Sequence, residues 1–300
     1  MTSLPGALPV VGTGKIRSYL ALTKPRIIEL LLVTTLPTMF VARRGVPSVG
    51  LMLATLAGGA LAAGGANTIN MVVDRDIDKL MQRTRNRPLV TGAISPRAAL
   101  VFALGLEVVA FGELWRWVNL LSAVLAVSAT AFYVFVYTLW LKRISPQNIV
   151  IGGAAGAVPV LVGWAAVTDR LGWAPVVLFA VIFIWTPPHF WALAIKYRDD
   201  YEAAGVPMMP VVSTFKRTAG QIVVYTVLLV AVTVLFAAVG HMGVLYLVSA
   251  LVLGAVFLFY ALRLRQQATP RAAMKLFSYS ITYLTLLFAA MAGDVLVRFH

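Results

Sequence analysis

Ala219-Gly-Gln-Ile-Val-Val-Tyr-Thr-Val-Leu-Leu-Val-Ala-Val-Thr-Val-Leu-Phe-Ala-Ala-Val239 carries no charged side chain from end to end. An α-helix rises about 1.5 Å per residue, so a run of this length crosses the roughly 30 Å hydrocarbon core of a bilayer. Working outward, eight further runs read the same way, at 27–42, 50–72, 97–115, 119–140, 148–167, 173–195, 243–262 and 277–298. The sequence therefore predicts an all-α, polytopic membrane protein with nine transmembrane helices. Its composition is 60% hydrophobic and 12% charged, with a mean hydropathy of +0.88. A water-soluble domain of 300 residues has no means of hiding that much apolar surface.

The net charge of +14 marks topology. With a cytoplasmic N-terminus, nine crossings leave only Arg43, Arg44, Arg116, Arg170 and Arg298 outside, of 25 Lys and Arg in all. That asymmetry is the positive-inside pattern, with the Arg43–Arg44 pair as its one local dissent. No soluble basic stripe exists to track a phosphate backbone, so nucleic acid is excluded as a partner. Residues 1–26 lack the apolar core and cleavage site of a secretory signal and read as a cytoplasmic tail on a single domain, 1–300. The absence of cysteine removes disulfides, thiolate metal sites and a cysteine nucleophile.

The longer loops, at about 73–96, 196–218 and 263–276, all fall inside, where they cap a cavity enclosed by the helices. An acidic segment follows the second span and another follows the sixth; an even number of crossings separates them, so both end on one face. Gly58, Gly59, Gly64 and Gly65, with Gly152, Gly153 and Gly156, either let helices pack closely or make room for a bulky ligand.

In Asn70-Met-Val-Val-Asp74-Arg-Asp76-Ile-Asp78, Asn70, Asp74 and Asp78 recur every fourth residue and share one helix stripe, with Asp76 on the other side. Mg²⁺ is commonly held by one or two carboxylates plus substrate phosphates, which this stripe supplies. Its acids have a second reading as a solvated helix end paired with Arg75, Lys79 and Arg83. The following Arg83-Thr-Arg85-Asn-Arg87-Pro88 offers forked donors for phosphate oxygens. Tyr137-Thr-Leu-Trp-Leu-Lys142-Arg143 closes the fourth span before Asn148 opens the fifth. Lys142 either neutralises a departing diphosphate or snorkels to the lipid headgroups.

Trp185-Thr-Pro187-Pro188-His189-Phe190-Trp191 puts two prolines inside a span, predicting a break in the helix beside His189. That histidine is either a hydrogen-bonded packing residue or an intramembrane functional group. The segment runs on through Lys196 to Asp199, Asp200 and Glu202, the second acidic group. Glu29, Glu107, Glu113 and Asp294 read as interhelical hydrogen-bonding acids, and His241 and His300 as residues without a role. Spacing alone reaches a membrane enzyme acting on a metal-bound phosphate ester.

Over nearly the whole chain, these strings resemble the intramembrane prenyltransferases of the UbiA superfamily. Asp74-Arg-Asp-Ile-Asp78, Asn148-Ile-Val-Ile-Gly-Gly, Trp185-Thr-Pro-Pro-His189 and Asp199-Asp200-Tyr-x-x-Ala-Gly-Val-Pro-Met are similar, within it, to the members that farnesylate heme. The resemblance implies nine helices around a central cavity, in the cell membrane, with the active site facing the cytoplasm. Farnesyl diphosphate is then the donor, heme b the acceptor and heme O the product, with handover to a downstream heme A synthase or terminal oxidase. It implies Mg²⁺ on Asp74 and Asp78 and near Asp199 and Asp200, aided by Arg87 and Lys142. Asn70, Arg83, Tyr137, Asn148, His189 and Lys196 fall in the substrate-binding set, with His189 orienting the heme. One departure stands: Asp199 and Asp200 are followed four positions later by Ala203 and Ala204, not by the second acid common in the superfamily. Rival readings are prenylation of a quinone precursor and a transporter, the latter disfavoured because its binding residues belong near the bilayer midplane.

Overall fold

Capping hydroxyls, amides and prolines stand where the apolar runs begin, and the helices start there. Ser48, Ser95, Asn119 and Thr214 each accept a hydrogen bond from a backbone N–H of the first helical turn they precede, satisfying a donor with no intrahelical partner. The computed structural model describes residues 14–299, the side chains of 26–32 excepted. The expected tail up to residue 13, the side chain of Glu29, and His300 lie outside the described residues.

In chain order the helices are α1 (Lys15–Thr23), α2 (Pro25–Arg43), α3 (Val49–Val73), α4 (Arg75–Leu80), α5 (Pro96–Trp117) and α6 (Leu120–Ala131). A π-helical stretch, Phe132–Leu141, joins α6 to α7 (Lys142–Ile144). Then come α8 (Asn148–Thr168), α9 (Trp173–Lys196), α10 (Arg198–Ala203), α11 (Met209–Val212), α12 (Phe215–Val239), α13 (Val244–Gln267) and α14 (Pro270–Phe299). Among the described residues, 8 helices are long and apolar enough to cross a membrane: α3, α5, Leu120–Ile144, α8, α9, α12, α13 and α14. The 19-residue α2 packs beside them.

The long helices form a ring. Each packs on the next, α3 on α5, α5 on α6, α6 on α8, α8 on α9, then α9, α12, α13 and α14 in turn, while α2 lies between α14 and α3. Contacts of α2 with α8 and of α9 with α14 cross the ring. The largest buried cluster draws on α9, α12, α13 and α14; Trp191 of α9 meets the Tyr225 ring edge-on at 5.4 Å, and Phe257 of α13 meets Tyr283 of α14 at 5.1 Å.

Two local features depart from simple expectation. The prolines at 187 and 188 do not break α9, which runs from Trp173 to Lys196 with both prolines buried inside it. Proline removes ladder hydrogen bonds, but a helix enclosed by neighbours on most sides tolerates that loss. The span Leu120–Ile144, in turn, is wound with the wider π spacing over Phe132–Leu141. Thr138 Oγ1 donates to the Tyr133 carbonyl five residues back, at 2.8 Å. A π segment turns every later side chain relative to α-helical register, and this is the part of the span that faces the acidic stripe.

The remaining intramembrane acids are mostly interhelical, as expected. Glu107 accepts from Thr130 Oγ1 at 3.1 Å, and Asp294 accepts from the backbone N–H groups of Gly243 at 2.6 Å and Tyr246 at 3.2 Å, capping α13. Glu113 differs: it fills the space over Gly58, with Oε2 buried and unpartnered. His241 takes a left-handed turn conformation, φ 51°, and its carbonyl accepts from Arg298.

Candidate active site

Asp74 sits at the junction of α3 and α4, yet the helical ladder runs through it. Its N–H donates to the Asn70 carbonyl at 2.9 Å, and the Asp78 N–H donates to the Asp74 carbonyl at 2.8 Å. The four-residue spacing thus keeps Asn70, Asp74 and Asp78 in one line, at 3%, 0% and 2% exposure. Buried carboxylates are costly unless paired and hydrogen-bonded. Each here has a cation from a separate element: Lys142 Nζ pairs with Asp74 Oδ2, and Arg87 Nη1 with Asp78 Oδ2 at 2.6 Å.

Asn70 organises the inner side of this cluster. Its Nδ2 donates to Asp74 Oδ2 at 2.7 Å and to Thr138 Oγ1 at 3.2 Å, and its Oδ1 accepts from Lys24 Nζ at 2.8 Å. Lys24 is the left-handed hinge, φ 53°, between α1 and α2. Burial first, and then the charges of Arg87 and Lys142, lower its pKa to about 7. Asp76 points away and takes both arms of Arg143, at 2.7 and 2.8 Å; those hydrogen bonds hold its carboxyl at about 2.

The second acidic segment joins the first through backbone donors. Asp200 accepts from the N–H groups of Gln82 at 3.3 Å and Arg83 at 3.4 Å, which puts α10 against the loop after α4. Both acidic segments therefore sit at one end of the bundle. Arg83 lies over the Tyr197 ring at 5.5 Å and Lys196 over the same ring at 5.3 Å. Burial raises the nearby Tyr201 hydroxyl, against the pull of Arg83 and Arg87. Glu202 is half-committed to Arg198, 3.7 Å away. Asp199 is exposed and has no partner among the described residues.

The donor set fits a hard divalent cation. Among the described residues no three His, Asp or Glu gather closely enough to hold an ion by themselves, but Mg²⁺ is ordinarily completed by water and phosphate oxygens. Asp74 Oδ1 is buried and accepts no hydrogen bond, with Arg143 Nη2 no nearer than 3.9 Å. A desolvated carboxylate oxygen without a donor keeps its lone pairs free to meet a cation.

Of the residues expected from sequence, Asn70, Asp74, Asp78, Arg87 and Lys142 converge directly, with Arg83 and Asp200 alongside. Tyr137 stacks on Tyr133 at 5.3 Å and lies so close over Gly152 that a Cβ there would stand 2.3 Å from its ring. Asn148 is fully buried; its Nδ2 donates to the Ser145 carbonyl at 2.7 Å, and its Oδ1 is another buried, unpartnered acceptor. Lys196 is exposed, away from the stripe. His189 lies higher on α9, sandwiched between Trp185 at 4.2 Å and Phe277 at 4.6 Å.

Its Nδ1 is 2.6 Å from Ser280 Oγ. Ser280 Oγ also lies 2.6 Å from the Phe277 carbonyl, so it ties His189 to α14 whichever imidazole tautomer is present. Lys24 and Thr138 were not singled out from the sequence. The Lys24-Pro25 pair, a cation directly before a helix-starting proline, is the signal for the first; Thr138 depends on the π register and has none.

An all-helical membrane protein whose bundle end gathers buried carboxylates, each neutralised by its own cation, belongs to the class that handles anionic substrates within the bilayer. The chain is a member of the UbiA prenyltransferase family, whose sequence pattern matches residues 31–290. It is 55% identical over 291 residues to the protoheme IX farnesyltransferase of Parafrankia sp. (strain EAN1pec), covering 95% of this chain and 92% of that protein. It is equally 55% identical to the protoheme IX farnesyltransferase of Frankia alni, across 94% and 99% of the two chains. Its fold superposes on digeranylgeranylglyceryl phosphate synthase with a TM-score of 0.78 at 17% identity, over 94% of this chain and 99% of that one. A UbiA homolog from Archaeoglobus fulgidus bound to GPP and Mg²⁺ gives a TM-score of 0.61 at 18% identity, over 91% and 99% of the chains.

Proposed function

We propose that this enzyme transfers the farnesyl group of farnesyl diphosphate to a vinyl group of heme b, with addition of water, giving heme O and diphosphate. The acceptor is supported by relatives, matched over 92% and 99% of their length, that are named for that reaction. The donor half is carried by one observation: the buried Asn70–Asp74–Asp78 stripe, with a carboxylate oxygen that accepts no hydrogen bond and cations from three other segments directed at it.

The allylic carbon–oxygen bond breaks with its electron pair leaving on the diphosphate. Lys142, Arg87 and Lys24 meet that growing negative charge with donors already in place, which is where preorganised electrostatics lowers a barrier most. Asp74 and Asp78 would hold Mg²⁺, with Asp200 and Asp199 beside it; the ion supplies further neutralisation of the leaving group. The vinyl π pair then forms the new carbon–carbon bond, water adds to the resulting porphyrin-stabilised cation, and a proton is released. The apolar ring of helices keeps the allylic cation from premature hydrolysis. His189, with one ring nitrogen engaged by Ser280, would orient the heme through its iron or a propionate. The geometry of one polar end fits a cytoplasm-facing mouth of a nine-span bundle in the cell membrane, with the N-terminus inside.

The test is incubation of purified protein with heme b, farnesyl diphosphate and Mg²⁺, followed by mass analysis of the porphyrin. Heme O is the expected product. Prenylated 4-hydroxybenzoate, formed while heme b is left unchanged, would replace this reading with the quinone-precursor one. In a parallel titration His189→Ala is expected to weaken heme retention; an unchanged titration removes the histidine from the heme site.

A further inference from the structure

The α13–α14 furrow lies outside the site just described. One stripe of α14 runs along it through Arg271, Lys275, Ser278, Thr282, Leu286 and Ala289, at the spacing of three and four residues that keeps side chains on a single helix face. The chemistry changes in order along the stripe, from two cations to two hydroxyls to small and apolar groups. A cleft of about 530 Å³ surrounds the polar half, with Tyr260 and Tyr279 as its walls. A second cleft of about 500 Å³ surrounds the apolar half, opposite Val252 and Leu253 of α13. The two adjoin along the same helix pair: Tyr279, a wall of the first, donates through its hydroxyl to the carbonyl of Leu253, which lines the second, at 2.9 Å.

Charge and depth identify the occupant. No Asp or Glu lines either cleft, and among the described residues neither Arg271 nor Lys275 has an ion-pair partner. Both cations stand at the start of α14, at the same end of the bundle as the acidic mouth, hence at headgroup level. The stripe from Arg271 to Leu286 spans about 22 Å at helical rise, close to the roughly 20–22 Å of one leaflet with its headgroups. Val252, Leu286 and Ala289 are exposed on the outside of the ring, so the furrow opens toward lipid. We propose that it is a binding site for an anionic glycerophospholipid. The phosphate sits on Arg271 and Lys275, as basic pockets between membrane helices hold such headgroups, and one acyl chain lies along Leu286 and Ala289. A prenyl diphosphate has a similar anionic head and apolar tail, but its charge is answered by the cations around Asp74 and Asp78.

Full-length protein exchanged into vesicles of phosphatidylcholine with a minor fraction of phosphatidylglycerol, then examined by native mass spectrometry, reads the retained lipid directly. Wild type is expected to keep one phosphatidylglycerol per chain. Arg271→Ala with Lys275→Ala should weaken retention about 10- to 30-fold, at roughly 1 kcal/mol per cation, while Arg271→Lys keeps it. Equal retention by wild type and the double variant, with both folded by thermal melting, overturns the proposal. So does displacement of the lipid by stoichiometric farnesyl diphosphate or by inorganic phosphate alone.

Discussion

The two acidic segments meet at one end of the bundle but are built on opposite principles. Asp74 and Asp78 are sealed from solvent on a continuous helical ladder and neutralised by side chains from distant parts of the chain. Asp199, Asp200 and Glu202 lie on a six-residue helix with no buried residue, and Asp200 is tied to the first segment only through backbone N–H groups. A desolvated carboxylate fixes charge in a low-dielectric place, where each interaction is strong and costly to lose. An exposed one exchanges partners with water and adjusts. The first segment is thus the sealed anchor of the candidate site and the second its solvent-facing side.

The sharpest way to break this contrast is to neutralise each side in turn. Asp74→Asn and Asp78→Asn are expected to lower turnover about 10³-fold, the scale of removing a preorganised charge from a water-excluded site, with folding checked by thermal melting. Full activity in both would remove the stripe from the chemistry. Asp200→Asn should cost only about tenfold, since hydrogen bonds at a half-exposed carboxylate are partly replaced by water. A loss equal to that of Asp74→Asn would make the second segment an anchor too.

Lys24 sharpens the comparison on the side of the anchor. Lys24→Met should raise the KM for farnesyl diphosphate about tenfold through loss of one charge-assisted contact. The pKa of Lys24 is lowered to about 7, so its charge is complete below that pH and fades above it. Wild-type affinity for the diphosphate should therefore begin to fall as pH rises past about 7, and Lys24→Arg should hold it level; parallel profiles for the two would dismiss the role. The smallest effect belongs to Asp76, which shares the first motif but is exposed. Asp76→Asn loses its Arg143 pair at a cost of less than about 1 kcal/mol in melting, with turnover unchanged.

Much of this was readable beforehand. Span lengths and positions follow from hydrocarbon thickness and helical rise, most plainly for 148–167 against Asn148–Thr168, while α13 runs on five residues to Gln267 and α14 starts seven residues early at Pro270. The Asn70–Asp74–Asp78 line is a local repeat, so it survives even the change from α3 to α4. Pro187 and Pro188 misled because a proline rule describes an isolated helix, whereas α9 is enclosed by its neighbours.

What the sequence by itself determined is everything with a short period: which segments form long apolar helices, which carboxylates share a stripe, and that an even number of these helices brings both acidic segments to one end. Tertiary structure alone decided the partners. Lys142 reaches Asp74 across 68 positions, Thr138 faces Asn70 only through a π-helical stretch, and Asp200 finds its donors on a loop 117 and 118 residues away. Such pairings depend on how the ring of helices closes and how each helix is rotated within it, and neither quantity is written in any local repeat.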